Sequence, residues 1–458
     1  MTLVDTALIC MYLLMITYIG LFTVKPARTI EEYAVGDKKI STYSLVGTIF
    51  ATWIGSVALS NTINKGFLVG VSYILVILGD VINLIMCAYL AKYFHRNFNK
   101  AISIGDIMEP SFGLGARIIS GIISFMVCLC YITAQFKVIN LFFEYFFQIP
   151  HGFSTLLTTL MILAYSTLGG VASVVKTDKL QLVVILIFVV LLLNNIAPKD
   201  IGSLPVAKLT LSLTKDFFDQ YVGLFVSFMI PLMMPHTIQR ILIARDEKQC
   251  KTAFLLSSAL SLIFYLICII LGIFAFSLNP HLHESKVLLF LLENNLGQGF
   301  LGLGFVGVIS ILISTVDSFM NIASVTLTHD VLKPIFDKQL TSKAEVNLAK
   351  ISNVFTSFLA AILSIAFDEI LEIILYALNL WGPIMSVPIY FLIFDLKVPK
   401  ATFYVSLLSS CAIIILWEQN YDGLEELFAF LPATCLSAVI FANAWLFGKF
   451  KNYNRQYL

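Results

Sequence analysis

The sequence predicts an all-α integral membrane protein with about 13 transmembrane helices, and three observations carry that expectation. The first is composition: 59% of the 458 residues are hydrophobic and only 12% charged, with a mean hydropathy of +0.91, whereas a soluble domain carries about twice that share of charge. The second is the recurrence of apolar runs near the length of about 20 residues that a helix needs to cross a bilayer. The runs fall at about 4–24, 43–66, 69–94, 115–147, 152–173, 178–197, 221–242, 252–278, 300–330, 349–367, 369–395, 400–417 and 427–447. The third is the placement of basic residues. With the N-terminus outside, 23 of the 29 Lys and Arg fall in inside segments, five (Lys65, Lys199, Lys208, Lys215, Lys286) fall outside, and Lys137 lies within a span. The positive-inside rule then sets the N-terminus outside and the C-terminus in the cytoplasm. A net charge of +1 argues against a nucleic-acid partner and leaves membrane lipid as the surroundings.

Taken in order, the first run is a retained helix: no basic region precedes it and no small-residue cleavage site follows it. The second is unusually polar, with Ser44, Gly47, Thr48, Thr52, Gly55, Ser56, Ser60, Asn61 and Thr62, and is expected to break. The third and fourth each bury a charge, Asp80 and Lys137. These either pair, or Lys137 runs its stem outward along the helix end, the arrangement favoured here. The sixth opens on Lys176-Thr177-Asp178-Lys179. The seventh contains Pro231 and Pro235 and is expected to break too. Its tail, Gln239-Arg240 through Lys251, is amphipathic and basic and is expected to lie on the inner membrane surface. The ninth places Ser314, Thr315, Asp317 and Ser318 inside an apolar run. Such groups are costly in hydrocarbon and therefore face a bundle interior, a water path or an ion. The eleventh carries Asn379-Leu380-Trp381-Gly382-Pro383, another expected bend. The longest loops, about 198–220 and 331–348, are too short for a second folded domain. Eight cysteines in or beside apolar runs read as packing residues, and the six histidines show no metal-ligand spacing.

The two breakable spans stand five apart, as they would if spans 2–6 and 7–11 were inverted repeats that each open on a discontinuous helix. Unwound segments at matching positions of two halves point to a midplane binding site.

Several segments then resemble the sodium:solute symporter family, in family order: Glu32-Tyr33-Ala34-Val35-Gly36, Ala51-Thr52-Trp53-Ile54-Gly55, Tyr165-Ser166-Thr167-Leu168-Gly169-Gly170, Lys176-Thr177-Asp178-Lys179-Leu180-Gln181, Gln239-Arg240 through Asp246, and Ser314-Thr315-Val316-Asp317-Ser318. The resemblance covers roughly residues 30–400 and implies a leucine-transporter-like inverted-repeat core. The chain would divide into an extra N-terminal helix (1–30), a ten-helix transport core (31–398), and two C-terminal helices with a short cytoplasmic tail (399–458).

Carried over by position, the resemblance implies a Na⁺ site formed by the carbonyls of Ala51, Ile54 and Ile311 and the hydroxyls of Ser314 and Thr315. Residues 311, 314 and 315 share one helix face, and oxygen donors suit a hard cation. The alternative is that both hydroxyls bond back to the preceding turn. Asp178 is implied as a second Na⁺ position or exit path, or else it pairs with Lys176 or Lys179. Asp317 is expected to serve helix packing. Trp53, Ser56, Gln135, Phe228, Met229, Tyr376, Asn379 and Trp381 are the implied solute-lining residues. Some amino-acid symporters of the family carry an acidic residue near position 53. Trp there weakens a proline-specific reading, and an aromatic wall suits a quaternary ammonium by cation–π attraction.

The expected function is therefore Na⁺-coupled import of a small organic solute, an amino acid such as proline or a quaternary ammonium such as choline, by alternating access in a cell membrane of the bacterial inner-membrane kind. No catalytic residues or enzyme activity are expected, and one monomer would suffice. The competing expectation is a sensor on the same fold that acts through a separate signalling partner.

Overall fold

The computed structural model describes residues 2–23, 25–55, 57–166, 170–195, 204–230, 232–283, 286–336, 340–367, 370–420 and 429–456. Among them there are helices and turns and no strand. In chain order the helices are α1 (Leu3–Phe22), α2 (Ile30–Val35), α3 (Thr42–Trp53), α4 (Thr62–Val69), α5 (Ile74–Phe98), α6 (Ile104–Phe112), α7 (Leu114–Phe147), α8 (His151–Ser166), α9 (Gly170–Asn195), α10 (Val206–Leu209) and α11 (Lys215–Met229). They continue with α12 (Pro235–Ile243), α13 (Glu247–Leu278), α14 (Val287–Asn295), α15 (Phe300–Val325), α16 (Lys333–Ile335), α17 (Ser342–Ala366), α18 (Ile370–Trp381), α19 (Val387–Ile393), α20 (Lys400–Glu418) and α21 (Phe430–Gln456). Among the described residues, nine helical stretches are long and apolar enough to cross a membrane.

Local chemistry sets where these helices start. Thr2, Thr29, Ser41, Ser103, Thr214, Asp246 and Thr341 each accept a backbone N–H of the first turn through the side chain, which satisfies donors that the helix itself leaves orphaned. Packing then depends on close backbone approach. A Cβ on Gly272 of α13 would stand 2.1 Å from the Ile63 carbonyl oxygen, and one on Gly66 of α4 would stand 2.7 Å from that of Ile269. The two helices therefore meet backbone to backbone, the usual contact where lipid provides no hydrophobic drive between helices. The central rod is α15, whose residues from Gly304 to Val325 are all buried. It packs against α1, α3, α7, α9 and α17.

Both expected breaks are present. After Trp53 the α-helical ladder stops: Ile54 takes φ −85°, ψ 46°, Gly55 is a bend, and a π-helical turn runs from Val57 to Asn61 before α4 begins. The second break separates α11 from α12, with Met233 at φ 50°; Pro231 lies outside the described residues. Carbonyls freed at this second break are re-satisfied by neighbours. Asn83 Nδ2 donates to Phe228 (3.0 Å) and Ile230 (3.3 Å), and Leu232 accepts from Trp381 Nε1 (2.7 Å) and Ser386 Oγ (2.9 Å). The bend expected at Asn379–Pro383 takes a milder form. α18 and α19 are joined by a π-helical turn, Gly382–Ser386, which opens the ladder without interrupting the rod.

One expectation fails. The segment from Gln239 to Ile243 does not lie on a membrane surface: all of α12 is buried, with Arg240 only 1% exposed. Its polar face turns inward because partners wait there. Gln239 donates to the Ala34 carbonyl (3.1 Å) and to Asn321 (2.6 Å), while Asn321 donates to the Tyr33 carbonyl (3.1 Å). Of the two arrangements open to Asp80 and Lys137, the less favoured one, pairing, is absent. The Lys137 ammonium donates to the Phe367 carbonyl, and Asp80 has other donors.

Candidate cation and solute sites

The α3 break faces α15. A helix end leaves its last carbonyls without intrahelical donors, and Thr315 Oγ1 donates to that of Thr52 (3.2 Å) and to that of Ile311 one turn back on its own helix (3.3 Å). Gly55 makes the approach close: a Cβ there would stand 3.0 Å from Thr315 Oγ1 and 3.2 Å from Gln135 Nε2. Ala51, Ile54, Ile311 and Ser314 are fully buried and Thr315 nearly so. The Ser314 hydroxyl turns to a different acceptor, Asp178 Oδ1 (2.6 Å). Asp178 of α9 also accepts from Thr48 of α3, so a fully buried carboxylate ties α3, α9 and α15 together beside the break.

Sequence reasoning missed the cation of this site. Arg240 Nη2 lies 3.9 Å from Asp178 Oδ2, donates to Thr52 Oγ1 at 2.7 Å and also donates to Ser318 Oγ. Its Nη1 holds Gln239 Oε1 at 2.9 Å. Among the described residues the carbonyls and hydroxyls of α3 and α15 thus bring oxygens to the break, with one carboxylate and one guanidinium at its edge.

Beyond Thr52, Gly55 and Thr315 opens a cavity of about 130 Å³ between the two broken helices and α5, α7, α13 and α18. Of the sequence-predicted solute residues, Trp53, Gln135 and Phe228 line it, whereas Met229, Tyr376, Asn379 and Trp381 do not. Trp381 props the α11–α12 break as described, Asn379 Oδ1 accepts the Phe430 N–H (3.0 Å), and Tyr376 packs against Phe367. Ser56 lies outside the described residues. One wall is aromatic: Tyr131 stacks on Phe319 at 4.5 Å, and His236 stands 5.2 Å from Trp53 and 5.0 Å from Phe319. Asp80 also lines the cavity, and its Oδ2 accepts from Trp53 Nε1 (2.6 Å) and the Tyr265 hydroxyl (2.5 Å).

A second charged cluster lies elsewhere in the bundle, where α6, the start of α7, the π-helical turn Thr326–Leu332 and α17 meet. Donor atoms of Asp106, His329 and Asp330 fall within 4.8 Å of one another, a grouping that the spacing of the histidines did not suggest. Arg117 already fills the role a metal would take, with Nη2 3.1 Å from Asp106 and 3.5 Å from Asp330. His329 Nδ1 meets Glu345 at 2.7 Å, and Lys333 meets the same carboxylate at 2.9 Å. Burial pushes the Asp106 carboxyl up, but the hydrogen bond and charge of His329, the Ile102 N–H and Arg117 together hold it below its ordinary range. This arrangement is a clamp between helices. The eight cysteines, all described, form no disulfide.

Comparison with known proteins completes the picture. The sodium:solute symporter family matches residues 33–410. The chain belongs to that family. Membership makes this symporter a transporter, not an enzyme, with Na⁺ as its coupling ion, and a multi-pass membrane protein. The sodium/proline symporter of Staphylococcus aureus strains JH9 and Newman is 22% identical over 94% of this chain and 90% of that protein. Among solved structures, a Na⁺-coupled sialic acid symporter in a substrate-bound outward-open state superposes with a TM-score of 0.82 at 15% identity, covering 97% of this chain and 98% of the other. Mhp1, a nucleobase-cation-symport-1 family transporter, superposes with a TM-score of 0.59 at 14% identity, covering 92% and 96%. The fold is leucine-transporter-like.

Proposed function

We propose that this symporter imports a small nitrogen-containing organic solute, an amino acid such as proline or a quaternary ammonium such as choline, by alternating access. The reading places Na⁺ between the carbonyls of Ala51, Ile54 and Ile311 and the hydroxyls of Ser314 and Thr315, with Asp178 as a second ion position or the inward exit. The solute occupies the cavity between the broken helices, against Trp53, Gln135 and Phe228. What supports it above all is one contact: the Thr315 hydroxyl bridges the carbonyl of Thr52 at the break and that of Ile311, the junction a hard cation needs. In this reading residues 31–398 form the inverted-repeat transport core, residues 1–30 and 399–458 flank it, and the N-terminus faces outward from a bacterial cell membrane.

Each Na⁺ entering down 100 mV releases about 2.3 kcal/mol, roughly fifty-fold in solute accumulation. Thermal denaturation of the purified protein in potassium buffer, with proline, choline, glucose or acetate and with or without Na⁺, tests the pairing of ion and solute. A ligand of the folded state raises the melting temperature, and coupled ligands raise it together by more than the sum of their separate effects. Proline or choline is expected to show that synergy with Na⁺. A solute response that is identical in Na⁺ and K⁺ contradicts the reading.

A further inference from the structure

We propose that Asp80 is the specificity determinant of the solute cavity and takes the positively charged nitrogen of the transported solute. The inference rests on the symport reading above and deepens it by assigning the charge of the recognised group.

Asp80 is a carboxylate on α5 within an apolar stretch, and an ionisable side chain so placed usually marks a substrate or ion path. It is only partly buried, unlike Asp178, and it lines the cavity. Both of its donors are neutral, Trp53 Nε1 at 2.6 Å and the Tyr265 hydroxyl at 2.5 Å, and both converge on Oδ2. They orient the carboxylate without cancelling its charge and leave Oδ1 out of those bonds. No Lys or Arg lines the cavity among the described residues, and the nearby Arg240 is spent on Thr52, Ser318 and Asp178. Among the described residues the charge therefore has no cationic match. A neutral or anionic solute leaves it so, at the cost of a desolvated ion without a partner. A solute carrying an ammonium or quaternary ammonium supplies the missing charge, and the aromatic residues Trp53, Tyr131 and Phe228, which line the same space, are of the kind that attracts such a group.

The test uses the full chain in proteoliposomes under an inward Na⁺ gradient, with labelled choline and labelled proline. Each is competed by a near-isostere without a cationic nitrogen: 3,3-dimethyl-1-butanol for choline and tetrahydrofuran-2-carboxylate for proline. The expected result is that the solute taken up is displaced at least tenfold less effectively by its isostere than by itself. Asp80→Asn is expected to raise that solute's half-saturation concentration at least tenfold while moving the Na⁺ half-saturation less than twofold, and Asp80→Glu to recover part of the loss. The isostere comparison uses the unaltered protein and decides the matter even if Asp80→Asn does not fold. Equal competition by the isostere overturns the inference, as does unchanged solute affinity in Asp80→Asn. A variant that shifts Na⁺ dependence and leaves solute affinity alone also overturns it, because Asp80 is then an ion ligand. Na⁺-driven uptake of glucose or acetate in place of the nitrogenous solutes overturns it while leaving symport standing. If the unaltered protein shows no Na⁺-driven uptake of any of these, the solute reading of the proposed function falls and this inference with it.

Discussion

Joint replacement of Ser314 and Thr315 by alanine is expected to abolish Na⁺-stimulated uptake while leaving the protein folded. The substitution deletes two hydroxyls and only one buried methyl group, that of Thr315, which costs about 1 kcal/mol. It removes the donor that links the Thr52 carbonyl at the α3 break to Ile311 and one of the two hydroxyls on Asp178. The remaining carbonyls cannot complete the five or six oxygens, roughly, that a hard cation of this size takes. The roughly fifty-fold accumulation that a 100 mV potential supplies per ion is then lost, and uptake falls to passive equilibration. Initial rates in proteoliposomes as a function of Na⁺ concentration check this, with retained Na⁺-independent thermal response to solute as the control for folding. Wild-type Na⁺ dependence in the double variant would remove the site from the account.

The second large effect is on stability. Arg240 is the only cationic group recorded against Asp178 among the described residues, and both are buried. Taking away one member of a buried charge pair strands the other, which costs about 3–5 kcal/mol, and Arg240→Ala also leaves Thr52 and Ser318 without their guanidinium donor. A clear loss of melting temperature in Na⁺-free buffer is expected. In the proposed reading Na⁺ bound beside Asp178 restores a positive charge there, so added Na⁺ should recover part of the loss, and more than it adds to the unaltered protein. Arg240→Lys, which keeps the charge but not the planar fork, should fall between the two. A melting temperature for Arg240→Ala close to that of the parent would show that Asp178 needs no counter-charge.

Nine helical stretches among the described residues are long and apolar enough to be read alone as spans, and the break after Trp53 was legible because a run of Ser, Thr, Gly and Asn has no other reason to sit in hydrocarbon. The proline-flanked break before α12 was legible for a similar reason. What could not be read was which polar group meets which. Arg240 lies at the end of an apolar run, where a cation ordinarily marks the cytoplasmic edge, so its inward turn depends on Thr52 and Ser318, 188 and 78 residues away in sequence. Trp381 shows the same limit from the other side. An aromatic residue beside a bend reads as a solute contact, yet its indole N–H is claimed by the Leu232 carbonyl that the break sets free. Asp80 was recognisable as a costly charge, but its donors come from α3 and α13, and only the fold shows that neither of them is a cation.

The most direct measurement of ion coupling is solute accumulation in proteoliposomes of the unaltered protein, with an inside-negative potassium diffusion potential and Na⁺ outside. The account predicts a transient accumulation above equilibrium that grows as the potential is made more negative and vanishes when external Na⁺ is replaced by K⁺. Uptake that proceeds equally well in K⁺, or that never rises above equilibrium at any imposed potential, would contradict it.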